Sequence, residues 1–246
     1  MRPRVLLHGF AQPPTAWGDL VAQLDAAALA LPGHAADAPL GATWDETIDA
    51  LAARLPAHAL VIGYSLGARL ALGLLAADRI DGAILISVHP GLASATDRAA
   101  RRAADAAWIE ALRTRPWPEV LDAWEAQPIF ATAARAPRER RAARRRARAQ
   151  LEPTGLAAAM AVLGLGAMPD LADALVARAG RARLIVGADD GKFRQLATAL
   201  AARAPTLGPT IVDGSGHDPT LEQPTRLAAE IGALAHQLDA TAASMR

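Results

Sequence analysis

Short runs of apolar residues alternate along the chain with longer amphipathic segments, and this rhythm predicts the architecture. Val5–Leu7, Ala27–Ala30, Leu60–Ile62, Ala83–Ser87, Arg183–Val186 and Thr210–Val212 read as strands, most of them rich in Val, Ile or Leu. Their apolar character is continuous and not alternating, as a parallel sheet covered on both faces requires. Helical patterns fall between them, at about 15–25, 44–55, 66–77, 191–203 and 220–238. Strand and helix in repetition predict an α/β fold built on a mostly parallel, doubly wound sheet.

The rhythm breaks between about Gly91 and Ala179, where no strand pattern occurs and at least four helical stretches do. An insertion there follows a strand of the main sheet, so it is expected to sit over the strands' carboxyl ends, where open α/β sheets bind ligands. The expected organisation is a core of residues 1–90 and 180–246 with a helical cap of 91–179. The Ala/Arg-rich texture has no fixed period, so no internal repeat is read.

Gly63-Tyr64-Ser65-Leu66-Gly67 lies where the third strand gives way to an Ala/Leu-rich helix. A G-x-S-x-G turn of this kind is tight enough to demand glycine at the flanks and holds the serine in strained backbone with its hydroxyl projecting. A merely structural strand-to-helix turn has no need of the serine; strand before and helix after are the two features a nucleophile elbow requires. The helix also aims its positive end, and the Leu66 N–H, at negative charge forming beside Ser65.

Composition narrows the chemistry. With 52% apolar residues in 246, the chain can bury a core without staples, and with no cysteine it has no disulfide, thiolate zinc site or cysteine nucleophile. The net charge of +1 gives no global attraction to nucleic acid or anionic membrane. Arg135 to Arg148 holds eight arginines and one glutamate, read mainly as a solvated helix face, since no aromatic residues interleave them. Only Val5–Leu7 is apolar before His8-Gly9, too short for a signal peptide, and the longest uncharged apolar run, Leu156–Met168, is shorter than the roughly 20 residues of a membrane span. The expectation is a cytoplasmic protein without nucleic-acid or membrane partners, working as a monomer or small homo-oligomer.

A serine becomes a useful nucleophile or base only when a histidine accepts its proton, and that histidine needs a carboxylate to fix its tautomer. His217, in the glycine-rich loop after the last strand, is the candidate base; Asp189 and Asp190, after the strand before it, are the candidate acids. Either aspartate can orient His217 while the other caps the following helix. The loop after the first strand, His8-Gly9-Phe10, is expected to supply a second oxyanion donor through the Phe10 N–H, leaving His8 a structural task. His34 with Asp37 is too small a donor set for a metal, and His58, His89 and His236 lack ligand spacing, so no metal is expected.

His8-Gly9-Phe10, Leu31-Pro32-Gly33-His34, the serine elbow and the Ser, Asp, His order together resemble the α/β-hydrolase superfamily. Gly63 to Arg69, Trp124-Glu125-Ala126-Gln127-Pro128-Ile129-Phe130 and Asp190-Gly191-Lys192-Phe193 resemble, more narrowly, the 2-succinyl-6-hydroxy-2,4-cyclohexadiene-1-carboxylate synthases of menaquinone biosynthesis, over nearly the whole chain. That resemblance implies a carbon–oxygen lyase that eliminates pyruvate from an enolpyruvyl cyclohexene tricarboxylate, without a cofactor. It implies a triad of Ser65, Asp190 and His217, an oxyanion hole of Phe10 and Leu66, and substrate contacts from Tyr64, Arg69, Arg101, Trp124 and Arg148. Guanidinium groups suit a tricarboxylate because they bind carboxylates as bidentate forks. The chain departs from the family at Ala188, at Ala35-Ala36 and in lacking an asparagine near Arg148. The same triad would also serve a serine hydrolase cleaving a small acyl ester, thioester or carbon–carbon bond; a third reading is a catalytically silent relative that serves as a binding protein.

Overall fold

The structure, a computed structural model, describes residues 2–244; Met1, Met245 and Arg246, which the expected core bounds include, lie outside the described residues. Strands β1 (Arg4–Leu7), β2 (Ala26–Leu29), β3 (Leu60–Tyr64), β4 (Gly82–Ile86), β5 (Ala182–Gly187) and β6 (Thr210–Val212) form one sheet in the order β2-β1-β3-β4-β5-β6. Every neighbouring pair is parallel. The six expected strands are thus the six observed, with β6 as expected and the ends of the others shifted by at most two residues.

Alternate residues of each strand face opposite sides, so the sheet makes two cores. Val5, Leu7, Val61, Leu85 and Val186 pack on one face with helices α2 (Trp44–Ala52), α3 (Leu66–Ala76) and α9 (Gly191–Arg203). Leu6, Ile62, Ile84, Ile86 and Ile185 pack on the other with α1 (Leu20–Gln23) and α11 (Pro224–Ser244). All five residues of β3 and of β4 are buried, which accounts for their unbroken apolar runs.

Two expected helices are interrupted. The pattern at 15–25 is a 3-10 turn at Pro14–Trp17 followed by α1, with Gly18 between them at φ +51°. The pattern at 220–238 divides into α10 (Pro219–Glu222) and α11, because Pro224 forces Gln223 out of helical backbone, to φ −138°, ψ 55°.

Between β4 and β5 the chain forms α4 (Ala95–Thr114), α5 (Trp117–Glu125), a 3-10 segment at Pro128–Arg135, α6 (Arg138–Arg148), α7 (Pro153–Leu163) and α8 (Ala172–Ala177), with no strand. α4 packs along α7. Leu112, Val120, Leu151, Leu156 and Met160 from this insertion form a third core with Ala11, against which Phe10 and Trp124 pack. Of the eight arginines between 135 and 148, Arg144 and Arg148 are buried.

Sheet order reverses direction at β1, since β2 lies on one side of it and β3 with all later strands on the other. The loops after β1 and β3 therefore part at the switch point and leave a crevice. At its floor the chains approach closely: a Cβ on Gly67 would lie 2.1 Å from the Leu7 carbonyl oxygen and 2.6 Å from that of His8. Gly67→Ala is accordingly expected to destabilise the fold by about 2 kcal/mol or more, read in a thermal scan as a fall in Tm of roughly 4–8 °C.

Candidate active site

Ser65 ends β3 and opens α3 with φ 51° and ψ −107°, backbone that L-residues seldom adopt. Its N–H donates to the Ile86 carbonyl at 2.9 Å, and the Gly67 N–H to that of His8 at 3.0 Å, so both ends of the turn are tied to neighbouring strands. The side chain is left facing the crevice. His217 Nε2 lies 3.1 Å from Ser65 Oγ, and His217 Nδ1 lies 2.8 Å from Asp190 Oδ2. Because a carboxylate accepts, Nδ1 carries the proton and Nε2 is free to accept the serine hydrogen. Three residues distant in the string thus form one hydrogen-bonded chain, with Asp190 and His217 both buried.

The two aspartates separate clearly. Asp190 turns its carboxylate to His217 and makes no side-chain cap on α9, whereas Asp189 is exposed and pairs with Arg135 of the insertion. The Phe10 and Leu66 N–H groups donate to no turn, loop or side-chain acceptor among the described residues. Both residues line, with Ser65 and His217, a cavity of about 150 Å³.

Arg69, Arg101 and Trp124 of the expected substrate contacts line this cavity; Tyr64 and Arg148 do not. Tyr64 belongs to the core beneath, its ring centroid 5.6 Å from that of His217 and its hydroxyl pKa pushed up by burial. Arg148 is drawn to Glu125, 2.8 Å away at the end of α5. Arg69 bonds the Leu163 carbonyl at 2.7 Å and has no carboxylate partner among the described residues. Burial, with Arg101 nearby, lowers its pKa to about 10, so it remains charged. Arg101 is held at 2.7 Å by the buried Asp105. Trp124 Nε1 is buried without a hydrogen-bond partner.

Further residues build the site, two of them the histidines of the His8-Gly9-Phe10 and Leu31-Pro32-Gly33-His34 motifs and two, Ser87 and Glu222, outside any motif. His8 Nδ1 lies 2.8 Å from the Gly9 carbonyl and His8 Nε2 accepts from the Leu31 N–H at 3.1 Å. His34 Nε2 accepts from the Ala11 N–H at 3.2 Å while its Nδ1 lies 3.1 Å from the Pro32 carbonyl. Each ring pins the loop bearing Phe10, and Gly33, at φ +74°, lets that corner approach the Gly155 carbonyl on α7. Ser87 donates to the His217 carbonyl at 3.2 Å, and Glu222 accepts from the Gly216 N–H at 2.9 Å, so the His217 loop is held from two sides. His89 also lines the cavity; burial, Lys192 and Arg69 lower its pKa to about 4. No three His, Asp or Glu side chains among the described residues come together as a metal site would require. No helix among them is long and apolar enough to cross a membrane.

Residues 5–230 match the model of the alpha/beta hydrolase family. The chain belongs to the alpha/beta hydrolase family. Among its relatives in that family, the 2-succinyl-6-hydroxy-2,4-cyclohexadiene-1-carboxylate synthase of Enterobacter sp. strain 638 is 33% identical over 241 residues, covering 92% of this chain and 88% of the relative. The synthase of the same name from Klebsiella pneumoniae is 35% identical over 208 residues, or 80% of this chain and 81% of the relative. The structure of MenH from S. aureus superimposes with a TM-score of 0.87, at 24% identity, over 97% of this chain and 94% of that one. That likeness shows the alpha/beta hydrolase fold, inserted helices included.

Burial lowers the pKa of His34 to about 4 and that of His8 well below the ordinary value, an effect that His34 reinforces. Both are neutral when folded, while the unfolded chain takes up their protons below its pKa of about 6.5. Stability is therefore whole above that value and is lost as pH falls below it, by about 2 kcal/mol at pH 5 for His34 and in the same direction for His8. Denaturant unfolding at pH 7 and pH 5 should show this slope, and His34→Gln should flatten it.

Proposed function

We propose that this alpha/beta hydrolase family enzyme is a carbon–oxygen lyase that eliminates pyruvate from an enolpyruvyl cyclohexene tricarboxylate, yielding 2-succinyl-6-hydroxy-2,4-cyclohexadiene-1-carboxylate. The names of its relatives support the reaction. The observation that carries the mechanism is the Ser65–His217–Asp190 chain facing a cavity that also contains a half-buried arginine with no carboxylate partner among the described residues. Residues 91–179 act in this reading as a cap on a core of 1–90 and 180–246.

His217 draws the proton from Ser65 Oγ, and the serine oxygen removes a ring proton activated by the succinyl carbonyl. Electrons released from that C–H bond move into the ring system and expel the enolpyruvyl oxygen. The leaving enolate takes up a proton and becomes pyruvate, and the proton held by Ser65 and His217 is returned to solvent, so no oxidant or cofactor enters the balance. Asp190 keeps His217 in the accepting tautomer and balances its charge when it is protonated. The N–H groups of Phe10 and Leu66 stabilise negative charge on the succinyl carbonyl oxygen, each worth on the order of 3 kcal/mol.

Arg69 binds one substrate carboxylate and Arg101, braced by Asp105, a second. Trp124 covers the ring and offers its Nε1–H. Tyr64 contributes from below by supporting His217. Arg148 would reach the substrate only by leaving Glu125.

Ser65→Ala should keep the wild-type Tm and lose pyruvate release by about 10³-fold or more, followed in a coupled assay. Near-normal release from that variant would remove Ser65 from the mechanism, and fast cleavage of an activated ester with no pyruvate formed would assign the same triad to hydrolysis. Arg69→Met should lose roughly 10–100-fold in kcat/KM, the size of a charged hydrogen bond, with no fall in Tm.

A further inference from the structure

Asp218 follows His217 directly and is 2% exposed. Its Oδ2 accepts from Arg144 Nη1 at 2.8 Å and from Gln12 Nε2 at 3.1 Å; its Oδ1 accepts from the Thr220 hydroxyl and, at 3.2 Å, from the Leu221 N–H. Gln12 returns with its Oε1 to the Gly9 N–H at 3.2 Å, one residue before the Phe10 donor. Arg144, also buried, adds bonds to the Ala16 carbonyl at 2.8 Å and to Thr220 Oγ1 at 3.2 Å. One carboxylate thus joins three parts of the chain: the loop after β1, the loop that carries His217, and helix α6 of the insertion.

A buried ion pair of this kind is a poor source of net stability, because desolvation of both ions offsets their attraction and apolar residues of similar volume serve as well. Its use lies elsewhere. We propose that Arg144 and Asp218 are positioning residues for His217, which register the imidazole against the oxyanion loop and the insertion and cancel the charge of a second carboxylate beside the ring. This rests on the reading of Ser65 and His217 given above.

Charge at His217 comes from every side. Asp190 faces it from the start of α9, Lys192, Arg69, Arg101, Asp105 and His89 line the same cavity, and Asp218 lies within its own loop. Arg144 and Arg148 stand behind Asp218 on α6. Ser65 and Tyr64, from the end of β3, and the rings of Phe130 and Phe193 complete the surround without charge. Burial pushes the Asp218 carboxyl up, but Arg144, the Thr220 hydrogen bond and Arg148 outweigh it and hold the group below its ordinary value. The pair is therefore fully ionised, and removal of either member leaves the other's charge acting on His217.

The test is the rate at which a fluorophosphonate labels Ser65 as a function of pH, together with kcat and KM for pyruvate release and the melting temperature. Arg144→Met leaves Asp218 ionised by its remaining donors, favours imidazolium, and should move the acid limb of labelling up by about one pH unit, with a roughly tenfold slower rate below the limb. Asp218→Asn keeps a side-chain oxygen for Gln12, leaves Arg144 charged, and should move the limb down by a similar amount. The double variant should return the limb close to wild type, and in the single variants kcat should fall more than KM changes. A role confined to stability predicts no shift, or shifts of one sign in both variants; either result in folded protein overturns the proposal. Should Arg144→Met fail to fold, the limbs of Asp218→Asn and of the double variant decide in the same way. Wild-type protein that labels at Ser65 but releases no pyruvate would refute the reaction and leave this test intact.

Discussion

The two nitrogens of one imidazole set the terms for everything around them. His217 must present a bare Nε2 to Ser65, which it does only while Nδ1–H is occupied by Asp190, and the tautomer that satisfies one contact supplies the other. Three loops after three strands must meet to make this possible, and the parallel sheet provides them on one edge because every strand ends there. The strained backbone of Ser65 is the local consequence. It is sustained where Gly63 packs on the Gly67–Ala68 backbone and Gly67 on the end of β1, neither with room for a side chain.

Polar groups packed beneath the site would be costly if left unpaired, and nearly all are paired. His8 and His34 each join one backbone group of the loop bearing Phe10 to one of the corner at Leu31 and Pro32, and Gln12 spans from that loop to Asp218. Glu222 and Ser87 do the same for the loop bearing His217. Backbone donors that serve a developing oxyanion act best when they need no reorganisation, and in the proposed reaction these side chains would hold the Phe10 donor still. The apolar cluster of Phe10, Trp124 and the insertion helices keeps water from competing at the same place.

Much of the fold was legible because a strand buried on both faces has to be apolar throughout, as β3 and β4 are. The serine elbow was legible because its geometry excludes other residues at Gly63 and Gly67. Asp189 and Asp190 could not be separated by spacing, since both follow the same strand; what divides them is Arg135, which arrives from the insertion and takes the first. Arg144 and Arg148 were hidden among eight arginines because helical periodicity alone does not say what lies opposite each face. The interruption at Gln223 was readable in principle from Pro224, whose ring restricts the residue before it.

Four histidines lie buried at or under the crevice, yet their surroundings give them different tasks. His8 and His34 are deep in apolar packing and use both nitrogens on backbone, and His89 sits among Lys192, Arg69 and Arg101, so protonation of each is opposed. Of the four, His217 alone has a carboxylate at its ring. The cations that suit the cavity to a polyanion also keep His89 neutral, and its Nδ1, engaged by the Gly91 N–H at 3.2 Å, is closed to an incoming proton. Burial is the main cause for all three of these neutral imidazoles, and at His89 the cations that line the cavity add to it: charges that would draw in carboxylates also discourage a proton there, leaving His217 as the imidazole that a carboxylate balances.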